Sequence, residues 1–199
     1  MPNFHKLQEL LPKLGQIRMV QANYSQYSSR YDKYLEGTVL PAFDPQLSGG
    51  ALYDINIYNL NLIIGLFGAP NNLIYQARKG FNGIDTSGVV LMSYPEFQAL
   101  AIGAKDSDSP STCLIQGEKG WLKVETAPNQ LEKIACQIRG EDNIQEYALN
   151  QYPHRLSHEF AAFAAMLANK DFAGRDLYLN ISLQVAEAAE KSRKQADIS

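Results

Sequence analysis

The chain has 199 residues, of which 45% are hydrophobic and 20% are charged, so it can fold around a substantial core in one domain. Its net charge of -3 gives no electrostatic reason to expect binding to DNA or RNA. The longest apolar stretch is interrupted by polar residues and no signal segment opens the chain, so we predict a cytoplasmic protein without a membrane span.

The two cysteines, Cys113 and Cys136, lie in apolar stretches that resemble strands. We expect both to be free, buried thiols in a reducing compartment. A disulfide between them is the less favoured interpretation.

The first 48 residues combine two predicted elements with a long irregular stretch. Apolar residues at helical spacing over 2–14 predict a helix, which Pro12 ends early and Gly15 stops. A strand is predicted from Ile17 to Tyr27. Residues 28–48 show no periodicity, and a loop of this length inside a compact domain is often functional.

Residues 48–68 form the most informative stretch and predict one helix that ends at Gly68. At about 100° per residue, apolar side chains cover almost the whole circumference, which is typical of a buried helix. The remaining gap of about 60° holds four residues in a narrow stripe, namely Asp54, Tyr58, Asn61 and Gly65. Because burying a carboxylate is costly, we expect a partner or a wet cavity beside Asp54. A polar stripe of this kind is typical of an active-site wall.

Beyond Pro70 the pattern changes to short strands followed by two helices. The predicted strands are Leu73–Arg78, Gly88–Tyr94, Phe97–Ala104, Ser111–Gln116, Gly120–Glu125, Leu131–Ile138 and Ile144–Ala148. Short connections between them indicate hairpins, and helices are predicted at about 154–169 and 175–195. We therefore predict a single α+β domain over 1–199, with a large, mainly antiparallel open sheet and helices on one face.

The second face of this sheet needs a cover, because two of its strands are apolar on both sides. Val89-Val90-Leu91-Met92 and Ala99-Leu100-Ala101-Ile102 have no polar alternation. We predict that this face packs against a second subunit to form a homo-oligomer. A monomer at micromolar concentration in light scattering would contradict this prediction.

The residues 48–60, Ser-Gly-Gly-Ala-Leu-Tyr-Asp-Ile-Asn-Ile-Tyr-Asn-Leu, resemble the GGG-x-L-x-D-x-G-x-[HY] signature of the Gfo/Idh/MocA oxidoreductases. The resemblance extends to Leu14-Gly-Gln-Ile-Arg-Met-Val and to Ser182-Leu-Gln-Val-Ala-Glu-Ala-Ala-Glu-Lys-Ser, in the family's order. It implies a NAD- or NADP-dependent enzyme that acts on a hydroxyl or carbonyl of a sugar, polyol or dihydrodiol.

Members of this family have two domains, and the chain resembles only the second. The first is a Rossmann domain with a Gly-rich loop and a Glu-Lys-Pro motif, and neither motif occurs here. The second shapes the substrate pocket and forms the oligomer. We therefore expect no cofactor binding by this chain alone. Because Met1-Pro2-Asn3-Phe4 opens within what resembles a family helix, we expect a longer native protein with an N-terminal Rossmann domain.

The resemblance also assigns roles to residues of the polar stripe. The signature aspartate falls on Asp54 and the catalytic His or Tyr falls on Tyr58, which implies that both are catalytic. At i, i+4 of a helix the carboxylate and phenol share a face. The signature is shortened to two glycines, and its later glycine is Asn56 here.

Further candidates come from position alone. Asn61 shares the stripe, and Arg30 and Tyr31 lie in the loop that leads into the helix, so we expect all three to contact substrate; the alternative for the last two is a solvated loop. His154 and His158 have zinc-binding spacing but no third ligand nearby, so no metal is predicted. The alternative to an enzyme is a stand-alone ligand-binding or scaffold protein without chemistry.

Overall fold

The computed structural model describes residues 1–198, which form one eight-stranded sheet and five α-helices. The strands are β1 Ile17–Ser25, β2 Asn72–Lys79, β3 Asp85–Ser93, β4 Gln98–Ala104, β5 Thr112–Gly117, β6 Gly120–Val124, β7 Ile134–Ile138 and β8 Gln145–Tyr147. The α-helices are α1 Pro2–Leu10, α2 Tyr31–Leu35, α3 Ile57–Phe67, α4 Arg155–Asn169 and α5 Phe172–Gln195.

The sheet has the order β2-β3-β4-β1-β5-β6-β7-β8. Strand β1 lies in its interior and runs parallel to β4, whereas the other six neighbouring pairs are antiparallel. The hairpins β2–β3, β3–β4 and β5–β6 account for most of the antiparallel pairing, as the short connections predicted. The predicted α+β class with a mainly antiparallel open sheet is confirmed.

The hydrophobic core lies between the sheet and the helices. Helix α3 contacts β1 and β4, while α5 lies against both α3 and β2. The strands supply a fully buried face to this core, as period-2 alternation requires. Its central members are Val20, Ala22, Val90, Met92, Ala99, Ala101, Ile115 and Leu122.

Within residues 1–198 no helix covers the opposite face of the sheet, which is rich in apolar side chains on β2, β3 and β4. The pairing register aligns Ile74, Leu91 and Leu100 in one row across β2, β3 and β4, with Val89 and Ile102 in the next row. Ile74 is 50% exposed and Leu91 is 37% exposed. We call this row and its neighbours the open sheet face.

The stretch 28–48, which showed no periodicity, contains more structure than the sequence indicated. It forms α2 and two short 3₁₀ turns, and it buries the rings of Tyr34 and Phe43. The Tyr34 ring stacks on Phe43 at 4.8 Å and on Phe81 at 4.4 Å. Contacts between distant rings hold this segment, and a local pattern does not reveal them.

Two strand and helix ends differ from their predicted positions for local reasons. Strand β7 begins at Ile134 rather than Leu131, because Leu131 has a left-handed φ of 48° in the preceding turn. Helix α5 begins at Phe172, since the Asp171 carboxylate accepts a hydrogen bond of 2.8 Å from the Gly174 N–H and caps it.

Both cysteines are free and buried, as predicted. Burial raises the pKa of the Cys113 thiol to about 12. Within residues 1–198, no helix has both the length and the apolar character that crossing a membrane requires.

Candidate active site

The predicted helix over 48–68 consists of two parts with different winding. Residues Leu52–Asn56 form a π-helical turn, and the regular helix α3 follows directly. A π turn accommodates an extra residue between successive hydrogen bonds, so the even spacing of 100° does not hold across it. Such turns occur frequently at functional sites.

Buried asparagines fix this helix on the sheet. The Asn56 Nδ2 donates a hydrogen bond of 3.0 Å to the Ala101 carbonyl oxygen, and the Asn59 Nδ2 donates one of 2.8 Å to the Ile102 carbonyl oxygen. Both side chains are fully buried. Gly103 provides the space, because a Cβ at that position would collide with Asn56. The asparagine that replaces the signature glycine is therefore a packing residue between helix and strand.

The second glycine before the helix, Gly50, makes room for a buried carboxyl group. The Asp85 carboxylate accepts hydrogen bonds of 2.6 Å from the Leu52 N–H and from the Tyr75 hydroxyl. Gly50 has a φ of +97°, and a Cβ there would collide with the same carboxylate. Burial raises the pKa of Asp85. This carboxylate holds the start of the π turn and so determines where the polar stripe lies.

The polar stripe lies on the accessible side of the helix. Asp54 and Asn61 are exposed and Tyr58 is half-buried, whereas the apolar positions between them are mostly buried. The Asn61 side chain donates to the Ile57 carbonyl oxygen at 2.8 Å. The predicted site helix therefore presents its carboxylate, phenol and amide away from the core.

The partner of Asp54 is Lys105, although Asp54 itself is exposed rather than buried as its place on an apolar helix suggested. The Lys105 Nζ lies 2.6 Å from Asp54 Oδ2, and this lysine is only 1% exposed, whereas the Asp54 side chain is 53% exposed. The same ammonium group donates to the Ala42 carbonyl oxygen and lies 4.4 Å from the centroid of the Phe43 ring. Sequence reasoning missed Lys105, although a lysine directly after the apolar strand 99–104 was a detectable signal.

Tyr58 and Asn61 line a cleft of about 490 Å³ between α3 and α4. Among the residues that the structure describes, Asp54 is not part of its lining. The remaining lining residues are Met1, Phe4, Leu62, Pro128, Asn129, Leu131, Arg155, Leu156, His158, Glu159, Ala162, Phe163, Met166 and Tyr178. The Tyr58 ring also lies 5.9 Å from the Tyr24 ring of β1. The cleft thus combines apolar walls with a few polar groups, as small-molecule sites do.

Arg30 and Tyr31 lie at the start of α2, and neither is among the described residues that line this cleft. Arg30 is exposed. The Tyr31 ring packs against Tyr27 at 5.5 Å and Phe43 at 5.7 Å. Because Phe43 also contacts the Lys105 ammonium, Tyr31 belongs to the surroundings of the Asp54–Lys105 pair rather than to those of Tyr58.

The histidines of α4 have local roles. His154 occupies the N-cap position, and the His158 Nε2 accepts a hydrogen bond of 3.3 Å from the Tyr152 N–H. The Tyr152 and His158 rings are 4.8 Å apart in a T-shaped arrangement. Over residues 1–198 no three side chains of His, Cys, Asp or Glu are grouped as metal ligands.

The structure is an open-sheet α+β domain whose accessible helix carries a carboxylate and a phenol. The family model of the GFO/IDH/MocA C-terminal domain matches residues 4–123. The chain therefore belongs to the Gfo/Idh/MocA oxidoreductase family, as its C-terminal domain.

Two curated relatives support this assignment. The chain is 33% identical over 198 residues to the scyllo-inositol 2-dehydrogenase (NADP(+)) IolU of Bacillus subtilis, and covers 60% of that protein. It is 37% identical over 167 residues to the uncharacterized oxidoreductase YgjR of Escherichia coli, and covers 50% of it. The alignments include 100% and 84% of this chain respectively. The chain thus spans only half to three fifths of these relatives' length.

Solved structures share the fold at low sequence identity. The 3-ketoreductase KijD10 of Actinomadura kijaniata in complex with NADP matches 98% of this chain and 57% of its own, with 17% identity and a TM-score of 0.72. The aldose-aldose oxidoreductase of Caulobacter crescentus complexed with glycerol matches 96% and 58%, with 19% identity and a TM-score of 0.72. An inositol dehydrogenase homolog from Azotobacter vinelandii complexed with NAD+ matches 98% and 60%, with 16% identity and a TM-score of 0.72.

Proposed function

We propose that this chain is the substrate-binding and oligomerisation part of an NAD(P)-dependent oxidoreductase. Its substrate is a sugar, polyol or dihydrodiol, and the reacting carbon bears a hydroxyl or carbonyl group. The observation that carries the proposal is the placement of Asp54 and Tyr58 on the accessible side of an otherwise buried helix, in a member of this family. The similarity to a scyllo-inositol 2-dehydrogenase (NADP(+)) supports a polyol as the substrate and NADP as the cofactor.

Tyr58 exchanges the proton of the reacting hydroxyl, and Asp54 orients that hydroxyl or the phenol. A phenol can donate this proton, and its ionised form can accept it. An ionised carboxylate only accepts hydrogen bonds, so it orients the hydroxyl that donates to it. Asn61, on the same cleft wall as Tyr58, donates to a neighbouring substrate oxygen. Arg30 and Tyr31 contact the substrate from the side of the Asp54–Lys105 pair.

The dinucleotide, when bound, exchanges a hydride with the reacting carbon. The residues of this chain do not provide its site, because the sequence contains no Gly-rich phosphate-binding motif of the Rossmann type. The cofactor is therefore bound by a separate Rossmann domain, N-terminal to this part in the full-length enzyme. The free thiols are consistent with a cytoplasmic enzyme.

The open sheet face provides the homo-oligomer interface. Its exposed apolar row, with Ile74 and Leu91, has no covering helix in the described part of the chain. A contiguous exposed apolar patch on a sheet is typical of a protein–protein interface. The substrate pocket of each subunit then lies on the opposite side of the sheet from its partner.

The proton-transfer role is tested by the substitution Tyr58→Phe in the native-length protein. We expect kcat/KM for polyol oxidation to fall by about 10² to 10⁴, because a general acid–base group contributes roughly that factor. The matched control is Tyr53→Phe on the preceding turn, whose hydroxyl contacts Glu190 at 3.2 Å on the surface. An unchanged kcat/KM in Tyr58→Phe would refute the role.

The alternative is a stand-alone binding protein, and one observation favours it. The cleft of about 490 Å³ is formed by this chain alone, without a second domain. The mass of the native protein, measured by immunoblot and peptide mass spectrometry, separates the two functions. A species well above 22.2 kDa with upstream peptides supports the enzyme, and one of that mass supports the binding protein.

A further inference from the structure

The Lys105 side chain is a deeply buried charge beside the candidate site, and Asp85 is buried to the same extent. It follows strand β4, and its backbone ties two segments together, because its N–H donates to the Thr86 carbonyl oxygen and its own carbonyl accepts from the Ser28 N–H, at 2.8 and 2.9 Å. With 1% exposure, its ammonium group has lost nearly all contact with water. Burying such a charge costs several kcal/mol unless an anion and further acceptors replace the water.

Three groups surround the Lys105 ammonium and compensate for this loss. The Ala42 carbonyl oxygen accepts one hydrogen bond, the Phe43 ring offers its face, and the Asp54 carboxylate provides the anion. The other carboxylate in this region, Asp85, is occupied by Tyr75 and Leu52. Asp54 is thus the anion on which the buried ammonium depends.

The two residues of this ion pair differ in burial, and the difference points to a role. Lys105 is enclosed, whereas the Asp54 side chain is 53% exposed, so the cation is fixed and the carboxylate faces solvent. The Lys105 ammonium contacts Asp54 at Oδ2, and none of the side-chain hydrogen bonds described within residues 1–198 has this carboxylate as acceptor. The second oxygen stays available to a ligand. A fixed cation behind an exposed carboxylate is how a protein keeps such a group in one orientation.

We propose that Lys105 is a positioning residue that fixes the Asp54 carboxylate. The expected effect of Lys105 on catalysis rests on the proposed function. The ion pair between Lys105 and Asp54 does not depend on that function. Lys105 belongs to this domain, so it prepares Asp54 before any other domain approaches. It acts only through Asp54 and does not touch substrate.

A double-mutant cycle with Lys105→Met and Asp54→Asn tests this role in the native-length protein. We expect Lys105→Met to lower kcat about 10- to 100-fold with KM changed less than about threefold, because a small misplacement of a catalytic group has this cost. In the Asp54→Asn background, adding Lys105→Met should lower kcat by less than about a further twofold. A merely structural role would give two losses that multiply, and that result would overturn the proposal.

The same four proteins are compared by urea unfolding, which does not need activity. We expect the unfolding equilibrium constants to show coupling of about tenfold between the two positions. The matched control is the exposed pair Lys133–Glu146, at 2.7 Å, for which coupling below about threefold and an unchanged kcat are expected. Absent coupling at Lys105–Asp54 would overturn the proposal.

The experiment also allows for a variant that does not fold and for a wild-type protein that is inactive. If Lys105→Met fails to fold, Lys105→Gln retains a hydrogen-bond donor and replaces it in both cycles. If the wild-type protein oxidises no polyol or sugar with NAD or NADP, the proposed function fails. The unfolding cycle then still decides whether Lys105 holds Asp54.

Discussion

Asp85 shows how one buried carboxyl group makes the stability of this domain depend on pH. Burial raises its pKa above the usual 3.8, so the folded chain binds this proton more tightly than the unfolded chain. The stability that protonation of Asp85 contributes is fully present below the pKa of this group in the unfolded chain. It is lost as pH rises through the pKa of the group in the folded chain. We expect Asp85→Asn, measured by urea unfolding across a pH series, to remove this loss of stability on raising the pH.

The sign of this effect is checked against Glu190, whose pKa is shifted the other way. Hydrogen bonds from Lys194 and Tyr53 lower the pKa of Glu190, so its contribution is present above the unfolded pKa and lost as pH falls. Glu190→Gln should therefore remove a loss of stability on acidification. If Asp85→Asn leaves the pH dependence of wild type unchanged, the proposed cause is wrong.

At the same scale, sequence reasoning singled out some candidate site residues and missed others for one physical reason. Asp54 and Tyr58 are recognisable because they lie four residues apart in the signature motif. Lys105 and Asp85 contact this part of the chain from positions distant in the sequence. A single sequence does not show which residues folding brings to Asp54 or to the start of the helix.

At the scale of the element, the buried asparagines determine how the site helix sits on β4. Asn56→Ala removes the hydrogen bond to Ala101 and leaves a buried carbonyl oxygen and the Asn59 amide with fewer partners. We expect the free energy of unfolding to fall by about 1–3 kcal/mol. Urea unfolding with Asn61→Ala as control measures this, since the exposed Asn61 bonds only to its own helix.

For Asn61→Ala we expect a change within about 0.5 kcal/mol, as for most exposed positions. Equal losses in the two asparagine variants would contradict the assignment of Asn56 as the residue that anchors the helix to the sheet.

The elements themselves followed from the sequence wherever a period was present. The short apolar run of β3 and the turn signals around it predicted the hairpins, and the apolar circumference predicted a buried helix. The π turn at Leu52–Asn56 was not predictable, because its cause is the contact of Asn56 and Leu52 with strands β4 and β3. Helix α2 was missed because the rings that hold it, Phe43 and Phe81, are not its neighbours in the sequence.

At the scale of the whole molecule, the layered fold gives the two faces of one sheet different surroundings. The helices bury one face and carry Asp54 and Tyr58 on that side, while no helix within residues 1–198 covers the apolar side chains of the other face. The parallel pairing of β1 with β4 places the strand beneath the site helix in the interior of the sheet. Pairing between subunits on the uncovered face would therefore leave the cleft accessible.

Leu91→Lys tests this arrangement, because Leu91 lies in register between Ile74 and Leu100 at the centre of the apolar row. In a symmetric dimer the change places two unpaired charges in the interface, and we expect the dissociation constant to rise at least about 100-fold. Leu47→Lys, at an exposed turn outside the sheet, makes the same chemical change and should leave the assembly intact. Light scattering at micromolar concentration measures both. A monomeric wild-type protein, or an oligomer that tolerates Leu91→Lys, would refute the homo-oligomer interface on this face.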